Sequence, residues 1–513
     1  MDNISTKIGK DVIESLTLGM YEDSRFIFRE YIQNSADQID EAVEQNILDQ
    51  KSSGIIEIEI NCTTKSITIS DNATGIPASE VHSILKDIAK SKKDRTKHKG
   101  FRGIGRLGGL AYCDKLIFET SYRGEPIKST LIWDSLKLKS IINNRSTKEE
   151  ASSVIDLVTE FVTEKEDIEK HFFQVTLENV SNKELLDSPD VYQYLTMVAP
   201  VPYNKGFFYK EKIFEKAKEL SFEVEQYQLF LNKDQVLKSY TTSIYDGENG
   251  NRKKIDEVYD IETFELRTST NELLGWGWFS ISGLIKQMPA INTARGIRLR
   301  KGNIQIGLED TLDKLFKEAR WSKYYFGEVY AVSAELIPNA RRDYFLENPT
   351  LKEFEKLLRI KFNELQRLNY FSSNIRSEKK KLDELASLTN EYNKKAKVTG
   401  FTNNEEKVKF QEQLEVKKDK ATGAKKELLK IKESYTSPSQ QKIYQKIIGE
   451  TGPVDDSITE EDTSKTKYLT DDISKMNKKD RKLVSKILTI IDSVLVKDLA
   501  DNLKHKIIEE LNK

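Results

Sequence analysis

Residues 29–42 read REYIQNSADQIDEA, and this stretch constrains the fold more than any other. As a helix it has an apolar face in Tyr31, Ile32, Ala36 and Ile39, continued by Val43 just beyond it. Glu30, Asn34 and Asp37 are spaced by four and then three residues, so they stand in file on a second stripe. A solvated helix scatters its acids, usually beside basic residues. An acid, an amide and a second acid in line, beside apolar neighbours, suit a helix that buries one side and turns a polar edge toward a ligand.

At 513 residues the chain is too long for one core and implies three or four structural units. Charged residues make up 32%, hydrophobic ones 37%, and the formal net charge is −1, which gives no overall pull toward nucleic acid or membrane. Cys62 and Cys113, far apart, make neither a disulfide framework nor a zinc site. His82, His98, His171 and His505 lack metal spacing and read as surface residues. No apolar signal region opens the sequence, and no apolar run approaches the roughly 20 residues of a membrane span. The expectation is a reduced, cytoplasmic, multi-domain protein that does not enter a membrane.

Residues 1–205 alternate helical and strand patterns. A helix near 24–50 precedes strands at IIEIEI (55–60), SITIS (66–70), KLIFET (115–120), STLIW (129–133) and FFQVTLENV (172–180). VAPVPYN (198–204) reads as a domain exit. Residues 206–370 read as a second α/β domain, with strands in FEVEQYQLFLN, GWGWFSISGLI, RGIRLRKGNIQIG and GEVYAVSAELIP and helices between them. Trp276 and Trp278 alternate along one of these strands, as core or as a partner contact. Residues 371–450, rich in Lys, Glu and Leu, predict a helical hairpin or coiled coil broken near VTGFTNN. Residues 451–466 read as a flexible acidic linker and 467–513 as a small helical unit.

The chemistry lies in the first region. ISDNATGIP (69–77) sets Asp71 at a strand end before a small-residue turn with Gly75 and Pro77, a carboxylate at the mouth of a pocket. KGFRGIGRLGGL (99–110) has glycines at 100, 103, 105, 108 and 109, which let backbone amides converge on phosphate oxygens, while Arg102 and Arg106 add charge. There is no GxxxxGK[ST], and the glycine run does not open a βαβ unit, so P-loop and Rossmann readings fail. Opposite such a loop, the Asn34 amide oxygen suits Mg²⁺, which keeps few protein ligands. Glu30, one turn away, suits a water attacking a γ-phosphate, as base or orienter. Asp37 would reach ribose or base through water, and Asp71 would accept from the exocyclic amino group of adenine. Singly, each feature has a plainer reading: a solvated helix face, a turn cap, a flexible loop.

Together, these motifs resemble the GHKL superfamily of gyrase, the ninety-kilodalton heat-shock chaperone, histidine kinases and MutL. The family's ExxxNxxDA motif is matched by Glu30, Asn34 and Asp37, with Gln38 in place of the usual alanine. Its DxGxG is matched by Asp71 and Gly75, with Ala73 replacing the first glycine. Its GxxGxG loop is matched by Gly100, Gly103 and Gly105, which brings Arg102 and Ile104 to the nucleotide. DIAKSKKD (87–94) resembles the chaperone branch's IAKSG segment and so places Lys90 and Ser91 at the nucleotide. The resemblance implies an α/β (α+β) chain. It would open with a Bergerat ATP-binding sandwich at 1–205, with its lid at 78–110. A transducer domain like domain 2 of ribosomal protein S5 would follow, and then a C-terminal helical or coiled-coil region.

LIPNARRDYF (336–345) resembles the chaperone branch's LNISREML segment, which implies that Arg342, with Arg341 its neighbour, senses the γ-phosphate. Arg298, Arg300 and Lys301 are less specific candidates for that role. The function implied is a slow, Mg²⁺-dependent ATPase working as a homodimer, joined by its C-terminal helices and exchanging residues 1–23 on closure. As a chaperone-like remodeller it would hold a protein client. As a MORC-like or MutL-like clamp, in genome or anti-phage defence, it would hold nucleic acid through 297–301 and the Lys-rich arms. Histidine kinase, topoisomerase and endonuclease readings lack the histidine, tyrosine and metal-cluster contexts they need.

Overall fold

The alternation of IIEIEI and SITIS is realised as an antiparallel pair that buries Ile56, Ile58, Ile67 and Ile69 on one face. The computed structural model describes residues 8–16, 23–88, 104–144, 149–247, 252–449, 466–473 and 475–513. The chain divides into two compact units, Met1–Gln366 and Arg367–Lys513.

In the first unit, eight strands form one sheet. They are β1 (Ile55–Asn61), β2 (Ser66–Asp71), β3 (Lys115–Ser121), β4 (Ile127–Asp134), β5 (Thr159–Lys165), β6 (Phe172–Glu178), β7 (Gln228–Leu231) and β8 (Asp234–Gln235). Their order is β5-β4-β3-β6-β2-β1-β7-β8. The helices packed with it are α1 (Asp11–Leu16), α2 (Phe26–Glu44), α3 (Ala78–Lys86), α4 (Ser135–Asn143), α5 (Ala151–Val158) and α6 (Ser188–Val198). Ile27, Phe28, Ile32 and Ile39 of α2 share one core with the buried faces of β1, β2, β3 and β6. The strand β5 escaped the sequence reading because it is an edge strand whose side chains are mostly exposed.

FEVEQYQLFLN does not belong to the second sheet. Its strand β7 pairs in parallel with β1, in register Ile56–Leu229 and Ile58–Leu231. The chain leaves the first sheet after α6 and forms α7 (Lys210–Glu219), whose Ile213 and Ala217 lie in the core of the second sheet. It then returns for β7 and β8 and leaves again. Its outward and homeward segments run side by side, with Tyr227 N donating to Pro200 O at 2.9 Å and Lys238 N to Pro202 O at 2.8 Å. Leu229 and Leu231 satisfy the first core, which a boundary placed at 205 would deny them.

The second sheet has β9 (Ser243–Asp246), β10 (Lys253–Arg267), β11 (Leu273–Ser282), β12 (Gly296–Lys301), β13 (Ile304–Ile306) and β14 (Phe326–Ala331). Their order is β13-β12-β14-β11-β10-β9, mixed because β12 and β14 run parallel. Trp276 and Trp278 are fully buried in its core. The sequence reading missed β10, the longest strand. A bulge between Val258 and Asp260 breaks its alternation, and Asp256 and Asp260 are buried on it. The helices expected between these strands are short 3-10 turns at Asp313–Leu315 and Ala319–Tyr324.

The helix α8 (Pro349–Lys394) carries the chain from the first unit into the second, where α9 (Asn404–Glu433) folds back on it. The ion pair Lys417–Glu384 and the hydrogen bond Gln411–Tyr392 fix an antiparallel register. The break falls at a π-turn, Lys395–Thr399, followed by Gly400 at φ 80°. Helix α10 (Pro438–Ile448) packs on α9, and α11 (Lys478–Val494) and α12 (Lys497–Asn512) form a small hairpin around Val484, Leu488 and Ile508. The expected linker at 451–466 lies almost wholly outside the described residues, as does most of 1–23. No helix among the described residues is long and apolar enough to cross a membrane.

Candidate functional site

Helix α2 is anchored at its start by Arg25, which ion-pairs with Asp23 and with Asp190 of α6, both at 2.9 Å. From there the polar stripe runs as its spacing requires. Glu30 and Asp37 are 7% and 5% exposed, and Asn34 between them is half-buried. Carboxylates this deep need partners or a cleft to face.

Glu30 meets the glycine segment on one side. A Cβ on Gly105 would lie 2.2 Å from Glu30 Oε2, so only glycine leaves the carboxylate its place. The 3-10 helix Gly105–Ala111 is held on α2 by Tyr31, whose hydroxyl donates to Arg106 O at 2.9 Å. Ile104, just before it, is buried. The Arg106 side chain is buried and donates to Asp87 O at 2.6 Å. Burial pushes its guanidinium down to about 10, against the attraction of Asp87.

Asp71 closes β2 and is 5% exposed, with Oδ1 accepting from Ala73 N at 3.1 Å. Gly75 has φ +68°, and a Cβ there would meet Ser121 O at 1.9 Å, which explains the glycine in this motif. The turn is pinned from three sides. Thr74 donates to Gln38 Oε1 at 2.6 Å, Thr120 accepts from Ile76 N at 2.9 Å, and His171 Nδ1 meets Ala73 O at 2.7 Å. Gln38 therefore ties helix to turn where the family has alanine. His171, read from sequence as a surface residue, is half-buried against the motif; the charged run before it hides that role.

The second sheet contributes a loop. Ile337 O accepts from Leu346 N at 2.8 Å, and Asn339 N donates to Tyr344 O at 2.9 Å, so residues 340–343 form the tip of a tight hairpin. Arg342 sits there at φ +56°, a strained conformation for a side-chain-bearing residue, and its Nε lies 3.2 Å from Glu30 Oε1. Arg341 is exposed and Arg342 is 9% exposed, so it is Arg342 that the loop delivers to the helix.

Arg298, Arg300 and Lys301 are placed elsewhere. Arg300 and Lys238 both ion-pair with Glu328, at 2.5 and 2.7 Å, and all three are fully buried among Tyr203, Tyr240 and Tyr330. Two cations hold the Glu328 carboxyl far below the usual range despite burial, while burial pushes the Lys238 amine down to about 7. Arg298 donates to Thr293 O, and Lys301 to Ser333 O at 2.7 Å. Their charges are spent inside the second sheet, because a buried guanidinium must find acceptors.

Lys90, Ser91, Gly100, Arg102 and Gly103 lie outside the described residues. Those described fit a nucleotide: a buried carboxylate beside a glycine turn, and a second glycine at a buried acid facing an arginine. Asn34 offers the single neutral oxygen that Mg²⁺ accepts alongside phosphates. Among the described residues, no group of three or more His, Cys, Asp or Glu side chains is arranged to hold a metal by itself.

A family model described as histidine kinase-, DNA gyrase B- and HSP90-like ATPase matches residues 23–166. Among curated proteins, the chain is 27% identical over 165 residues to chaperone protein HtpG of Buchnera aphidicola, covering 29% of this chain and 26% of that one. It is 27% identical over 143 residues to the HtpG of Burkholderia ambifaria, covering 25% and 23%, and 27% identical over 141 residues to that of Halalkalibacterium halodurans, covering 25% and 22%. The chain thus spans about a quarter of the length of the relatives it matches. Matched motifs, a helix-backed mixed sheet and these relatives together identify residues 23–166 as a GHKL-type, HSP90-like ATPase domain.

Proposed function

We propose that this protein is an ATP-hydrolysing conformational switch that works as a dimer and remodels protein clients. The observation that carries the reading is the meeting of Glu30 and Arg342, an acid on the ATPase helix and a cation on a loop of the next sheet, 3.2 Å apart. Asp71 would hold the adenine amino group and Asp37 the ribose side through water. Asn34 would hold Mg²⁺, which when bound neutralises charge on the phosphates. Glu30 orients or deprotonates the attacking water, and Arg342 senses the γ-phosphate and offsets the charge that builds on it.

The relatives named as chaperones favour a protein client. The nucleic-acid alternative drew on Arg298, Arg300 and Lys301, and those cations are engaged inside the second sheet, which leaves it the Lys-rich helical arms alone. The test is Glu30→Ala. We expect it to bind ATP normally while hydrolysis falls by roughly 10²- to 10⁴-fold. Hydrolysis at the wild-type rate would remove Glu30 from the chemistry. Proteins co-purifying with the ATP-trapped variant would identify the client, and salt-sensitive DNA binding enhanced by a non-hydrolysable analogue would replace the client reading with the clamp.

A further inference from the structure

Arg29 is the neighbour of Glu30 on α2, and nothing in its sequence context marks it. It is 1% exposed, one of the most deeply buried guanidinium groups among the described residues. It does not turn to solvent or to a surface acid. Its Nη2 donates to the carbonyl of Arg341 at 3.1 Å and its Nη1 to the carbonyl of Arg342 at 3.4 Å. The second carbonyl also accepts from Gly307 N at 2.8 Å, so the peptide after Arg342 is gripped from the helix and from its own sheet. Its Nη2 also lies 3.8 Å from Glu30 Oε1, so the same guanidinium faces the acid and the loop carbonyls, and the Phe26 ring lies 4.2 Å from it.

We infer that Arg29 is a positioning residue for hydrolysis, acting through Arg342, and this rests on the ATPase reading above. Arg342 holds a left-handed backbone conformation, which is strained for a residue with a side chain and persists only where surrounding contacts impose it. The guanidinium fork of Arg29 spans two successive carbonyls, a geometry that a lysine ammonium does not reproduce. It imposes the tip conformation from the helix that carries the catalytic acid. The distance between Glu30 and the sensor guanidinium is therefore set by one side chain adjacent to Glu30, and nucleotide discrimination at the γ-phosphate depends on it.

The experiment compares Arg29→Met, Arg29→Lys, Arg342→Ala and the double variant R29M/R342A in the full chain. It measures Kd for ADP and for a non-hydrolysable ATP analogue, together with steady-state hydrolysis. Arg29→Met should keep wild-type ADP affinity and lose roughly 10- to 100-fold of its preference for the ATP analogue, as Arg342→Ala does, because one charge-assisted contact is lost in each. The double variant should be no worse than Arg342→Ala, and Arg29→Lys should recover only part of the loss. A wild-type ATP-over-ADP preference in Arg29→Met, additive losses in the double variant, or full recovery by Arg29→Lys would overturn the inference. If Arg29→Met does not fold, Arg29→Lys decides: wild-type preference in it overturns the positioning role. Should the wild-type chain neither bind nor hydrolyse ATP, the ATPase reading itself fails, an outcome distinct from all of these.

Discussion

Glu30 Oε1 and Arg342 Nε lie 3.2 Å apart, joining the helix that carries the acid to a hairpin tip of the second sheet. Each is nearly buried, so neither charge is satisfied by water. A γ-phosphate arriving between them would draw the arginine, and the freed carboxylate would then face the water. The pair thus sets each buried charge against the other.

Gly105 tests how closely that carboxylate is placed. Gly105→Ala adds a Cβ 2.2 Å from Glu30 Oε2, and the carboxylate must swing away. We expect a folded protein with native circular dichroism whose hydrolysis falls roughly 100-fold, the cost of about an ångström of misplacement. Wild-type turnover would show that Glu30 has slack the packing does not suggest.

Asp71→Asn should abolish adenine-nucleotide binding while leaving the fold intact. An amide removes the charged acceptor and can place a donor against the donor of the adenine amino group. Isothermal titration with ADP reads this directly, and unchanged affinity would exclude Asp71 from the base site.

The buried Lys238–Glu328–Arg300 group makes stability depend on pH with a definite sign. Lys238 titrates near 7 folded and about 10.4 unfolded, so between those values the unfolded chain binds the extra proton and stability rises with pH. Lys238→Met should flatten that window in urea melts, leaving Glu328 paired with Arg300. Glu328→Gln strands the buried Arg300 guanidinium beside Lys238 and should cost about 3–5 kcal/mol. An unchanged melt for Glu328→Gln would mean the group is not sealed from water.

The C-terminal hairpin leaves Leu483, Ile487, Ile490 and Val494 exposed on α11 at helical spacing, with Leu499 and Leu503 on α12. If these faces join two chains, Ile487→Glu with Ile490→Glu should convert a dimer to a monomer in sedimentation equilibrium. A dimer that survives both substitutions would place the interface elsewhere.

The helix stripe and the glycine turn of the candidate site were legible in the sequence because their demands are local. Spacings of four and three fix a helix stripe, and a glycine at φ +68° leaves its mark wherever it occurs. The hairpin after 371 and its break were legible for the same reason. What escaped depends on distant backbone. Arg29 and His171 act on main-chain carbonyls, which have no side-chain identity to match. Arg298 and Arg300 looked available because their acceptors, Thr293 O and Glu328, sit on other segments. β10 was hidden by a bulge and two buried aspartates.

The return of the chain for β7 has a practical corollary for anyone dissecting the molecule. A fragment ending near 205 would lack the strand that pairs with β1, leaving Ile55–Ile58 as an open parallel edge above exposed core residues. Such a fragment should aggregate, whereas one continued through β8 would carry its own closing strands. The ATPase domain is stitched to its neighbour rather than strung beside it.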